Sequence, residues 1–279
     1  MMITDLASMA FLGAISFGVL WFGRQKGFFR WDPNRTWDLS IRVKDVLFLF
    51  AIYFGIADVL VPLSLSQIKP LLQKPATQIE LLSWLNLAIA ILTLGGIFLY
   101  WRSLKDKSLW RNPSLLPNYR EDFIYALYAW CISCPLVLFI SQALESLVYV
   151  IFNVSSLPDQ LAVYFVKMTF GNPLYFSLAI VTIVFLTPLI EETLFRAFLQ
   201  SFIRKQLGPR YAIFITALCF SFFHFSQEQG LSNIPIVGSL FILALFLGFI
   251  YEKRGSLFAS ISLHALFNAV SIFNLYFLE

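Results

Sequence analysis

Charge is scarce in this chain: Asp, Glu, Lys and Arg make up 13% of its 279 residues, whereas 59% are hydrophobic and the mean hydropathy is +0.76. That balance lies outside the soluble globular range and predicts a polytopic membrane protein. Alternating polarity over stretches of about ten residues, the mark of membrane strands, is missing, so helices rather than a barrel are expected. Histidine is limited to two residues, His224 and His264. Cysteine is limited to Cys131, Cys134 and Cys219, all inside apolar runs, where small buried side chains are expected. The C-x-x-C at Cys131 and Cys134 has no second pair, a weak basis for metal or redox chemistry. There is also no glycine-rich nucleotide loop, internal repeat, low-complexity tract or soluble domain, and nothing that predicts a nucleic-acid partner. The first apolar run, 6–22, has neither a basic segment before it nor an A-x-A-like cleavage site, and is expected to be a retained span.

What the chain has instead is apolar length. Aromatics reach 18%, with 31 Phe, and runs long enough for a ~30 Å hydrocarbon core recur between short charged segments. The fold class expected is all-α, a bundle of about eight transmembrane helices, with spans near 5–23, 45–66, 81–101, 122–152, 174–203, 211–227, 234–251 and 256–278. The fourth is long enough to be tilted, broken or extended. If all eight cross, sixteen Lys and Arg fall on one side, against Lys69, Lys74 and Lys167 on the other, with Arg196 inside a span. The positive-inside rule then makes the basic side cytoplasmic and both termini non-cytoplasmic. The polar loops 24–44 and 102–120 mix basic residues with Trp and Phe, as segments lying on an anionic leaflet do.

An ionisable side chain in the membrane costs ~3 kcal/mol or more and marks a functional hypothesis. The fifth span, LTPLIEETLFRAFLQ, carries three: Glu191, Glu192 and Arg196. Glu192 and Arg196 are i,i+4 and can pair, while Glu191 points about 100° away and is free for another task. The sixth span places His224 four residues after Phe220, and the eighth places His264 and Asn268 on one helical face. Counted at ~1.5 Å per residue from the flanking basic residues, Glu191 lies ~20 Å, His224 ~21 Å and His264 ~15 Å deep, so the three can meet at one level. Pro188, three residues before Glu191, is expected to loosen the helix there and admit water or backbone.

This residue set suits peptide hydrolysis: a Glu and a His activate water, and a second His and an Asn donate to the developing oxyanion. The same residue types suit zinc, with Glu191, His224 and His264 as ligands around an open position, although no H-E-x-x-H helix is present. The sequence therefore commits to no cofactor and leaves zinc open. Asp58 in the second span and Glu145 in the fourth suit a proton or ion relay, so a transporter is the rival class; a non-catalytic, immunity-type membrane protein is a third.

Three motifs stand in order: E-E-x-x-x-R from Glu191 to Arg196, F-x-x-x-H from Phe220 to His224, and H-x-x-x-N from His264 to Asn268. Together they resemble the CPBP (ABI) family of intramembrane proteases, which includes the type II CAAX prenyl endopeptidases. The resemblance covers roughly 120–279 and implies a catalytic helical core there, with 1–119 an N-terminal transmembrane region of about three helices. It implies that Glu191 and His224 activate water, that His264 and Asn268 form the oxyanion hole, and that Glu192 and Arg196 hold the geometry. The family has been described both as metalloproteases and as glutamate-dependent enzymes. A protein or peptide substrate is implied, with lipidation an extrapolation, together with membrane lipid as surroundings and the cell membrane of a prokaryote as location.

Overall fold

In hydrocarbon a backbone N–H or C=O has no water to bond, so a spanning segment must satisfy its polar groups within itself. The computed structural model describes residues 2–31, 40–60, 75–104, 112 and 118–277, and among them the regular structure is helical throughout. The helices are α1 (Met2–Gln25), α2 (Val43–Phe54, continued by a π-helical turn Gly55–Leu60), α3 (Pro75–Ser103), α4 (Tyr119–Phe152) and α5 (Leu161–Thr169). Then follow α6 (Pro173–Leu207), α7 (Pro209–Phe223), α8 (Asn233–Arg254) and α9 (Leu257–Phe277). Six of these elements are long and apolar enough to span a membrane, which makes the chain a polytopic all-α membrane protein.

Several expectations meet the structure with differences. The fourth span is one unbroken helix of 34 residues, even with Pro135 inside it. The expected sixth span, 211–227, stops at Phe223: α7 has 15 residues, and His224 caps it before a 3₁₀ turn, Gln227–Ser232. At ~1.5 Å per residue α7 is about 22 Å long, shorter than the hydrocarbon core. The chain stops there because Gln229 and Asn233 bond the backbone that leaves the helix. The short α5 was not foreseen. The cysteines are free, but Cys131 and Cys219 are exposed and Cys134 half-buried, not buried as expected. Lipid is as apolar as a protein core, so a hydrophobic residue gains little by turning inward. The far end of the second span, the side chain of Asp58 and the loop around Lys107 lie outside the described residues.

Two tight turns set the arrangement around α6. Gly208, with φ +84°, separates α6 from α7, and Gly255, with φ +55°, separates α8 from α9; both angles favour a residue without Cβ. Each turn folds the chain back on itself, so α7 packs on α6 and α8, and α9 on α4, α6 and α8. One apolar cluster joins α2, α3, α6, α7 and α8 through Leu49, Ile97, Leu194, Phe220 and Ala244; a second joins α4, α8 and α9. The early helices thereby wall the later ones: Phe50 of α2 meets Phe195 edge-on at 5.2 Å, and Tyr53 lies 5.2 Å from Phe223. At one end of the bundle, buried Asp122 of α4 accepts from Arg254 Nε at 2.8 Å and Ser256 Oγ at 2.7 Å. Nearby, Gln200 and Arg204 of α6 donate to Glu252 of α8 at 2.9 and 3.2 Å.

Candidate active site

The two neighbouring carboxylates of α6 point to different places, as the 100° step of a helix requires. Glu192, fully buried, receives Arg196 Nη1 at 3.0 Å one turn further on. Arg196 is equally buried; its Nη2 donates to the Ala244 carbonyl of α8 at 3.4 Å, and its guanidinium lies 4.4 Å from the centre of the Phe220 ring. Glu192 also accepts from the hydroxyl of Ser260 and faces His264 Nδ1 at 2.9 Å, both on α9. One carboxylate thus ties α6 to α9, while its arginine ties α6 to α8 and α7.

Glu191 turns toward the two histidines. Its Oε1 lies 3.8 Å from His224 Nε2 and its Oε2 3.8 Å from His264 Nε2. Both separations are too long for a direct hydrogen bond. Among the described residues the buried Oε2 has no hydrogen-bond partner, an unusual condition for a carboxylate oxygen that is screened from solvent. Glu191 is 5% exposed, and the His224 side chain, at 21%, is the most open of the three groups.

The tautomers follow from the neighbours. His224 Nδ1 faces the Phe220 carbonyl at 2.9 Å, which only accepts, and His264 Nδ1 faces a carboxylate oxygen. In each neutral ring the hydrogen therefore sits on Nδ1 and Nε2 presents a lone pair toward Glu191. The same arrangement, with Nδ1 held by an acceptor, is what a metal-ligating histidine has, so the donor types suit zinc. Neighbouring ligands of a tetrahedral zinc lie ~3.3 Å apart, closer than these groups stand. No trio of His, Cys, Asp or Glu among the described residues is gathered closely enough to hold a metal as it stands.

The structure thus brings Glu191, Glu192, Arg196, His224 and His264 together. Asn268, one turn after His264 on α9, donates from Nδ2 to the Ile183 carbonyl of α6 at 2.8 Å. Three contributors were missed in the sequence. Ser260 stands one turn before His264, a spacing that marks it in retrospect. Gln229 donates to the His224 carbonyl at 3.2 Å and to Asn233 Oδ1 at 3.3 Å, while Asn233 Nδ2 bonds the Ser226 carbonyl at 2.7 Å. Phe220, read only as a motif letter, packs its ring against His224 and His264, with centroids 4.8 and 5.8 Å away. Glu145, weighed as a relay residue, takes a bond from Tyr149 on its own helix. Beside the site an apolar cavity of about 300 Å³ is lined by Leu94, Ile97, Phe98 and Trp101 of α3, Leu189 and Thr193 of α6, and Leu257.

No curated protein and no solved structure matches the chain. The family model described as Type II CAAX prenyl endopeptidase Rce1-like matches residues 173–270. That segment, which holds all seven residues of the three motifs, is similar to the Rce1-like family, in keeping with the CPBP resemblance of those motifs.

Proposed function

We propose that the chain is an intramembrane endopeptidase in which Glu191 and His224 activate a water for attack on a peptide carbonyl. The observation that carries this reading is the pair of 3.8 Å separations around Glu191, whose Oε2 has no hydrogen-bond partner among the described residues. One water with legs of about 2.8 Å spans each gap comfortably. A proton passes from that water to Glu191 as the C–O bond forms, and from there to the leaving amine as the C–N bond breaks. The second N–H of Asn268 donates to the oxyanion, and His264 does so from Nε2 when its ring carries a hydrogen on both nitrogens, Nδ1–H staying on Glu192; Glu192 and Arg196 hold the geometry. Zinc is the other version: Glu191, His224 and His264 would hold it, and it would supply Lewis-acid polarisation and a more acidic water. The two versions differ in what fills the space between Glu191 and the two rings, a water or a metal, and chelation separates them.

The substrate is a membrane-associated protein or peptide, and the apolar cavity beside Leu189 and Thr193 suits a lipidated one. Residues 1–119 serve as scaffold and 120–279 as the catalytic core, in a prokaryotic cell membrane with both termini outside. The test is cleavage of lipidated and unlipidated peptides by reconstituted protein, with products sequenced. Wild type cleaves and stays active with chelator, whereas Glu191→Gln and His224→Ala are folded and inactive. Cleavage that survives Glu191→Gln refutes the reading. Stoichiometric zinc, with loss of activity on chelation and recovery on adding it back, replaces the water version with the metal one.

A further inference from the structure

Pro188 leaves a specific gap in α6, and a residue from another helix fills it. Between Val181 and Leu186 the helix widens to π geometry, and the Thr187 N–H donates to the Thr182 carbonyl, five residues back. The next bond in that register runs from residue 188 to the Ile183 carbonyl, but proline has no N–H. In the membrane interior a backbone carbonyl without a donor has no water to turn to. The Asn268 amide of α9 supplies the donor, 2.8 Å from Ile183 O.

The bond belongs to a series. On one face of α9, Ser260, His264 and Asn268 recur at i, i+4 and i+8. They meet α6 in reverse order: Ser260 on Glu192, His264 on Glu192 and Glu191, Asn268 on Ile183. The two helices are joined antiparallel at the carboxylates and about two turns before them. Glu191 stands three residues beyond Pro188, and His264 stands one turn before Asn268.

From this geometry we infer that Asn268 is a positioning residue: by closing the carbonyl that Pro188 leaves open, it fixes the spacing between Glu191 on α6 and His264 on α9. The consequence for catalysis rests on the peptidase reading above; the structural coupling does not. An amide has two donor hydrogens, so the bond to Ile183 leaves one for an oxyanion, and the two roles are compatible.

A double-substitution cycle tests it. Pro188→Ala restores an N–H that can serve the carbonyls of the preceding turn, so it relieves the need for Asn268. In detergent, Asn268→Ala is expected to melt several degrees lower than wild type, and Pro188→Ala/Asn268→Ala to recover at least half of that loss. With a cleaved substrate, Asn268→Ala lowers kcat by roughly a hundredfold with KM within about threefold, and the second substitution restores at least tenfold of it. Should Asn268→Ala not accumulate, the isosteric acceptor Asn268→Asp carries the same cycle, with recovered yield as its readout. Melting losses that simply add overturn the inference; a kcat that stays as low in the double variant while melting recovers overturns its catalytic part and leaves the oxyanion role to account for the whole loss. If wild type cleaves nothing, the melting cycle decides alone, so a failed peptidase reading and a failed positioning role give different results.

Discussion

Replacing Arg196 with Met removes the one full positive charge bonded to Glu192, while keeping an unbranched apolar stem of similar length. Both residues are fully buried, so neither finds water when its partner goes. Glu192 would keep Ser260 and His264, and Ala244 would lose a long 3.4 Å bond, a minor matter. The cation–π contact with Phe220 at 4.4 Å is worth about 2 kcal/mol when desolvated, and dispersion from the methionine offsets part of it. The dominant cost is the uncompensated carboxylate, ~3–5 kcal/mol, comparable with a large fraction of a protein's whole stability. Glu192→Gln/Arg196→Met should behave differently. The glutamine oxygen can accept from Ser260 or His264 with no charge to desolvate, so the double variant is expected within about 1–2 kcal/mol of wild type. The assay is equilibrium unfolding in detergent micelles for wild type, both singles and the double. A loss under about 1 kcal/mol in Arg196→Met, or a double variant no better than that single, refutes the argument.

Gly248→Ala puts a Cβ 2.7 Å from Gln200 Oε1 and 3.3 Å from Ile213 Cγ2, where α6 and α7 press on α8. Gln200 is held by bonds to Gly248 O and Glu252, so a loss of about 1–3 kcal/mol is expected in unfolding experiments. Gln229→Ala releases the His224 carbonyl; kcat should fall on the order of tenfold, with little change in melting and with faster hydrogen exchange at 224–226. A single cysteine placed at position 30 in a cysteine-free background should be labelled from the cytoplasmic side only, in line with the basic-residue count.

Much of this protein is legible in its sequence because the membrane narrows the choices. Hydrocarbon leaves a spanning segment only a helix, so apolar length placed α3, α4, α6, α8 and α9 within a few residues. The cost of burying charge made Glu191, Glu192 and Arg196 conspicuous, and the i,i+4 rule paired the last two before any contact was known. Depth counted from the basic residues brought His224 and His264 to the level of Glu191. Other features depend on contacts between helices that no spacing encodes. His264 stands between both carboxylates because α9 lies against α6; depth alone brought it to Glu191, but nothing in the spacing marked Glu192 as the partner of its Nδ1. Pro188 is expected to loosen its helix, but that the freed Ile183 carbonyl meets Asn268, 85 residues later, follows from packing alone. Span α7 ends early because Gln229 and Asn233 fold back on the chain after His224. The cysteines face outward because, in lipid, hydrophobicity no longer tells inside from outside.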